Sequence, residues 1–153
     1  MTELIVATDG SSLGNPGPTG WAWYVDENNW RSDGLAIGTN NIGELQAVRL
    51  VLADTGSRAL LIIADSRYVI DSLTRYVYGW ERNGWVTTTG KPVANQDLIK
   101  DIRDLMRGRS VRFQWTRGHA GQALNERVDL LARSAATRAG SGSAGPVGPG
   151  LQG

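Results

Sequence analysis

Asp9 and Asp65 are each the first charged residue after a short apolar run, LIVAT at 4–8 and ALLIIA at 59–64. In an open α/β sheet, ligands bind beyond the carboxyl ends of parallel strands. If the two runs are neighbouring strands, their aspartates sit side by side. Two carboxylates without a counter-charge there repel each other and lose hydration. A divalent cation relieves both costs, and hard oxygen donors suit Mg²⁺ or Mn²⁺. Two further acids fall early in helical patterns, Glu44 in GELQAV and Asp129 in NERVD. The single histidine, His119, lies in the polar segment RGHAGQALNE. Beside a metal-activated water, an imidazole shuttles protons. Each residue also has a plainer reading. An aspartate after a strand caps a turn or the next helix, acids early in a helix complement its dipole, and a loop histidine is solvated. Residue type and spacing reach a carboxylate metal site for phosphoryl chemistry and stop there.

The surrounding pattern predicts the elements that position these residues. LIVAT reads as a central strand, GWAWYVD (20–26) as a second strand, and residues 33–38 as a weaker third. NIGELQAVRLVLADTG switches to helical spacing, with Leu45, Val48 and Leu52 on one face and Gly56 as the stop. The run ALLIIAD is another buried strand, followed by a helix from Ser66 with Val69, Ile70 and Leu73 inward. NQDLIKDIRDLM is a helix for which Asn95 serves as N-cap. VRFQWT alternates, with Val111, Phe113 and Trp115 on one face, and the last helix starts near Asn125 and buries Val128, Leu131 and Ala135. The order βββαβααβα implies an α/β fold. Its five-stranded mixed sheet has three antiparallel strands, then two parallel ones, and helices flank it.

A chain of 153 residues, 41% hydrophobic and 20% charged, fits one soluble domain. No run approaches the roughly 20 apolar residues of a membrane helix, and the N-terminus lacks the pattern of a signal peptide. The expected location is cytoplasmic. There are no cysteines, which excludes thiolate metal sites. Net charge is +1, so a uniformly basic nucleic-acid binder is not indicated. Arg107, Arg109, Arg112 and Arg117 nevertheless occur without an intervening acid, which leaves open a local cationic face or an ordinary solvated surface. Residues 140–153, GSGSAGPVGPGLQG, read as a flexible tail or the start of an interdomain linker, the domain itself spanning 1–139.

Seven segments, TDGSSLGNPGP, TNNIGELQAV, ADSRYVI, YGWERNGW, KPVANQDL, RGHAG and NERVDLLA, occur in this order. Together they closely resemble the type 1 ribonuclease H family, in particular bacterial ribonuclease HI, over residues 3–139. The resemblance implies endonucleolytic cleavage of the RNA strand of RNA–DNA hybrids, leaving 5′-phosphate and 3′-hydroxyl ends. It implies two Mg²⁺ ions about 4 Å apart, replaceable by Mn²⁺, held by Asp9, Glu44, Asp65 and Asp129. His119 matches the histidine of a mobile catalytic loop, and Glu126 an accessory acid near it. Gly10, Ser11, Asn15, Asn40 and Asn41 would lie in the minor groove, where the 2′-OH distinguishes RNA from DNA. Thr39 and Asn95 match a phosphate pocket for the DNA strand. Tyr68, Tyr76 and Trp80 match an aromatic channel that packs on DNA sugars. The implied partner is an RNA–DNA hybrid, with no membrane and no obligate protein partner, and the protein is expected to be a monomer.

Two departures from the family pattern bear on substrate contacts. Around GWERNGWVTTTGKPV, the basic residues are only Arg82 and Lys91, with Glu81 opposing them. Hybrid affinity is accordingly expected to be weaker and less salt-sensitive than a fully basic protrusion gives. Arg67 stands where bacterial members commonly carry Gln, so it reads a base or reaches a phosphate. A catalytically weak hybrid-binding module remains an alternative function, as does a DNA-directed nuclease sharing the architecture. Some actinobacterial relatives join such a domain to a C-terminal phosphatase-like domain, and the Gly-rich tail fits a linker of that kind.

Overall fold

A computed structural model of the chain describes residues 2–118 and 122–153. Three strands come first: β1 Leu4–Ser12, β2 Gly17–Asp26 and β3 Asn29–Gly38. Helix α1 Asn40–Asp54 and strand β4 Leu60–Ala64 follow. Helices α2 Arg67–Asp71 and α3 Val77–Arg82 are joined by a π-helical turn, Ser72–Tyr76. The remainder is α4 Gln96–Met106, β5 Val111–Trp115, α5 Ala123–Gly140 and β6 Val147–Gly150. The sheet order is β5-β4-β1-β2-β3-β6. β1–β4 and β4–β5 are parallel pairs, and the other three are antiparallel.

Strand alternation sorts the side chains into two cores. Val6 and Trp23 join Leu45, Val48, Ile62 and Ile99 on the face covered by α1 and α4. Their neighbours Ala7 and Ala22 join Val128, Leu131 and Ala132 beneath α5. The α5 face is built from small residues because the helix backbone touches the sheet. A Cβ at Gly20 would lie 2.2 Å from the Ala136 amide nitrogen. Of the inward positions read from helical spacing, Leu45, Val48, Leu52, Val69, Leu73, Val128, Leu131 and Ala135 are buried, whereas Ile70 is only half-buried.

Several expectations are revised. The sheet has six strands, not five. β6 pairs antiparallel with β3 through Trp30↔Gly150 and Ser32↔Val147, within the segment whose composition suggested flexibility. Backbone proximity holds it. A Cβ on Gly148 would lie 2.6 Å from the Trp30 carbonyl oxygen, and one on Gly150 2.5 Å from Arg31 Nη2. β1 does not end at Asp9 but continues to Ser12, with Gly10↔Trp21, Ser11↔Gly20 and Ser12↔Thr19 in register. Gly and Ser carry no apolar signature, yet their backbones complete the ladder. Trp115 does not join Val111 and Phe113 inside; it is 40% exposed at the end of β5.

The arginine-rich stretch forms no continuous cationic face. Arg107 pairs with Asp104 at 2.8 Å, and Arg112 with Glu3 at 2.7 Å. Arg109 turns inward, donating to Leu52 O (2.8 Å), Thr55 Oγ1 (2.9 Å) and Arg58 O (2.9 Å). It thus ties the end of α1 to the approach of β4. Arg109→Ala leaves three acceptors without this donor, at a net cost for the whole side chain of about 2–3 kcal/mol, since water replaces part of what is lost. A thermal melt is expected to fall by about 5–10 °C with the active-site geometry retained. An unchanged melting temperature would contradict the clamp.

Candidate active site

The parallel pairing of β1 and β4 runs to Ala7↔Ile63. Asp9 and Asp65 each lie two residues further on, so the aspartates meet at the carboxyl ends of adjacent strands. Glu44 arrives from α1 because that helix crosses β1 glycine against glycine. A Cβ on Gly10 would fall 2.3 Å from both the Glu44 amide nitrogen and the Gly43 carbonyl carbon. One on Gly43 would fall 3.4 Å from Gly10 Cα. Thr39 fixes the helix start, its Oγ1 accepting from the Ile42 amide at 3.2 Å. Carboxylate oxygens of Asp9, Glu44 and Asp65 thereby lie within 4.8 Å of one another. From the other face α5 brings Asp129, which also acts electrostatically on Asp9 and pairs with Arg133 at 2.8 Å.

This concentration of acids is costly without a cation. Asp9 is 3% exposed, and its pKa is pushed up to about 7. Burial is the main cause, and repulsion from Asp65 and Asp129 adds to it, while a hydrogen bond with Glu44 works the other way. Glu44 is likewise held well above the usual carboxylate range, first by burial and then by the charge of Asp9. The donors are all carboxylate oxygens, the set that hard divalent cations favour. The residues therefore fit Mg²⁺.

The other sequence-derived candidates are arranged around this cluster. Gly10 and Ser11 lie in β1, and Gly10 N–H donates to Asp9 Oδ1 at 2.9 Å. Asn15 is exposed in the β1–β2 connection, and its Oδ1 accepts from the Asn40 amide at 3.0 Å. That bond brings the loop to the exposed Asn40–Asn41 start of α1. Asn95 does not cap α4 with its side chain. It adopts a left-handed conformation, φ 58°, and its Nδ2 donates to Tyr68 Oη at 3.0 Å. Tyr76 is 49% exposed. It sits 6.0 Å, centroid to centroid, from Trp80, which reaches Trp85 at 6.2 Å and packs against the core. Tyr76 and Trp80 line a groove of about 490 Å³ together with Arg75, Tyr78 and Thr87. Glu126 is exposed in the first turn of α5. His119 lies outside the described residues.

An RNase H family model matches residues 1–137. The chain belongs to the RNase H family. It is 54% identical over 150 residues to a ribonuclease H of Tropheryma whipplei (strain Twist), across 97% of this chain and 93% of that one. A ribonuclease HI of Streptomyces coelicolor is 44% identical over 142 residues, covering 88% of this chain but 62% of the longer protein. The crystal structure of LC9-RNase H1, a type 1 RNase H with the type 2 active-site motif, superimposes with a TM-score of 0.73. It is 28% identical, over 97% of this chain and 79% of that one. Among the described residues no helix is long and apolar enough to cross a membrane.

Three features of this RNase H family member escaped the sequence reading. Gly118, immediately before His119, lies against Asp65; a Cβ there would be 2.9 Å from Oδ2. Arg133 is the cation beside Asp129, and its i,i+4 spacing on one helix was a usable signal. Trp115 donates Nε1–H to the Asp65 carbonyl at 3.2 Å. Its place in an alternating strand had suggested only core.

Proposed function

We propose that this protein is an endoribonuclease that hydrolyses the RNA strand of RNA–DNA hybrids, leaving 5′-phosphate and 3′-hydroxyl ends. The convergence of Asp9, Glu44 and Asp65 within 4.8 Å, in a chain of this family, carries that reading. Asp9, Glu44, Asp65 and Asp129 would hold two Mg²⁺ ions, with Mn²⁺ able to substitute. Bound ions lower the pKa of a nucleophilic water and neutralise charge on the departing 3′-oxygen. The chain's own contribution is to position those ions and the substrate. The glycine contact between α1 and β1 holds Glu44 rigidly against Asp9, and Arg133 orients Asp129. His119 assists proton transfer or product release, with Glu126 as an accessory acid.

Asn15, Asn40 and Asn41, with the backbone of Gly10 and Ser11, read the 2′-OH side of the minor groove. Thr39 and Asn95 take a phosphate of the DNA strand. The Tyr68–Asn95 hydrogen bond supports this role, because it fixes the Asn95 carboxamide while its Nδ2 keeps a second N–H to donate to a phosphate oxygen. Tyr68 and the tilted ring pair of Tyr76 and Trp80 form an aromatic edge along which deoxyribose packs. The protein acts as a cytoplasmic monomer. The greater length of the Streptomyces relative supports a second reading, in which this chain is the N-terminal part of a bifunctional protein with a phosphatase-like domain.

End-group analysis tests the assignment against a hybrid-binding module without catalysis. An end-labelled hybrid incubated with Mg²⁺ is expected to yield RNA fragments bearing 5′-phosphates and an intact DNA strand. Binding without cleavage would overturn the enzymatic reading.

A further inference from the structure

Arg67 begins α2 two residues after Asp65 and is exposed, yet it is not loose. Its guanidinium carbon lies 4.3 Å from the ring centroid of Trp115. The Trp115 ring is in turn fixed by its hydrogen bond to the Asp65 carbonyl. One face of the exposed Trp115 ring thus carries a cation. Arg107, Arg112, Arg127 and Arg133 each hold a carboxylate. The Arg67 guanidinium makes no ion pair or hydrogen bond among the described residues. A guanidinium held over an aromatic ring keeps its N–H donors for other partners, in the fork that matches two oxygens of one phosphate.

We propose that Arg67 and Trp115 form a phosphate-binding element beside the catalytic carboxylates. Trp115 acts as a positioning residue, and Arg67 binds one backbone phosphate of the nucleic-acid substrate. The element rests on the ribonuclease reading given above. Stacking limits the rotamer freedom that a long side chain loses on binding.

The test measures binding of a fluorescein-labelled RNA–DNA hybrid by anisotropy across a KCl series. It uses the Asp9→Asn background, which is expected to bind without cutting. Arg67→Gln is expected to weaken binding roughly tenfold at low salt and to reduce the slope of log K against log[salt] by about 1. Trp115→Leu is expected to produce most of the same loss, the double variant no more than Arg67→Gln alone, and Trp115→Phe to restore it. Arg107→Gln, an equal change of charge at a paired residue, is expected to leave the slope unchanged. A wild-type slope in Arg67→Gln would overturn the proposal. So would a changed cleavage-sequence preference in Arg67→Gln made in the otherwise wild-type, active protein with the slope intact, which would mean that Arg67 reads bases. Additive losses in the double variant would also overturn it. Hybrid cleavage by the wild-type protein is scored separately, so failure of the phosphate element and failure of the ribonuclease reading give different results.

Discussion

Asp9→Asn is expected to abolish Mg²⁺-dependent cleavage while making the metal-free protein more stable at neutral pH and above. The two effects share a cause. Asp9 is buried among Glu44, Asp65 and Asp129, and its pKa is raised from 3.8 to about 7. Between about pH 4 and pH 7, the folded protein retains a proton there that the unfolded chain has released. Stability therefore falls as pH rises through that window, and the penalty is fully present above it. A shift of this size corresponds to about 4 kcal/mol. Asparagine keeps the shape, removes the charge and removes most of that penalty. Its melting temperature without metal is expected to exceed the wild type's by about 5–10 °C at pH 8 and to match it near pH 3. Mg²⁺ should raise the wild-type melting temperature more than the variant's, since only a ligand that binds the folded state stabilises it. A variant that keeps cleavage, or one less stable than wild type at pH 8, would contradict the assignment of Asp9 as a buried metal ligand.

Gly10→Ala is the second large effect, and it tests how Glu44 is positioned. The added methyl carbon would meet the backbone of Gly43 and Glu44 at 2.3 Å. No side chain there can rotate aside, so the start of α1 must lift off β1. Overpacking of this kind costs about 1–3 kcal/mol and sometimes more, and the shift carries Glu44 away from Asp9. Both the melting temperature and the Mg²⁺-dependent rate are expected to fall, with weakened Mg²⁺ dependence as the sign of a displaced ligand. Gly79→Ala is the comparison for stability. It lies inside α3 with nothing within 4 Å of the added carbon, so helix propensity should make it neutral or stabilising. If Gly10→Ala behaves like Gly79→Ala, the close crossing is not what sets the site.

The pairing of Asp9 with Asp65 was legible because two apolar runs of strand length each end in a single acid. Parallel neighbours put such ends together. Glu44 and Asp129 were not legible from residue type, since an acid early in a helix has an equal use against the dipole. What brings them in is the absence of side chains at Gly10, Gly43 and Gly20, and hydrophobic periodicity carries no trace of it. The same blindness explains the strand errors. Ser11, Ser12, Gly148 and Gly150 take part in the sheet through their backbones, while composition suggested a loop and a flexible tail. Arg109 and Trp115 fail in opposite directions. A cation was read as surface although it serves buried carbonyls, and an aromatic was read as core although it stands at the rim beneath Arg67. Long polar side chains and aromatics with a polar edge are the residues whose burial depends most on partners distant in sequence.

The proposed role of the carboxylate cluster is to cut RNA paired with DNA. The most direct measurement compares an RNA–DNA hybrid, an RNA duplex and a DNA duplex of one sequence, each incubated with the wild-type protein and Mg²⁺ and again with excess chelator. Cleavage of the RNA strand of the hybrid alone is expected, dependent on Mg²⁺ and absent in Asp9→Asn. Cleavage of the DNA duplex, or cleavage of the hybrid that persists in chelator, would contradict it.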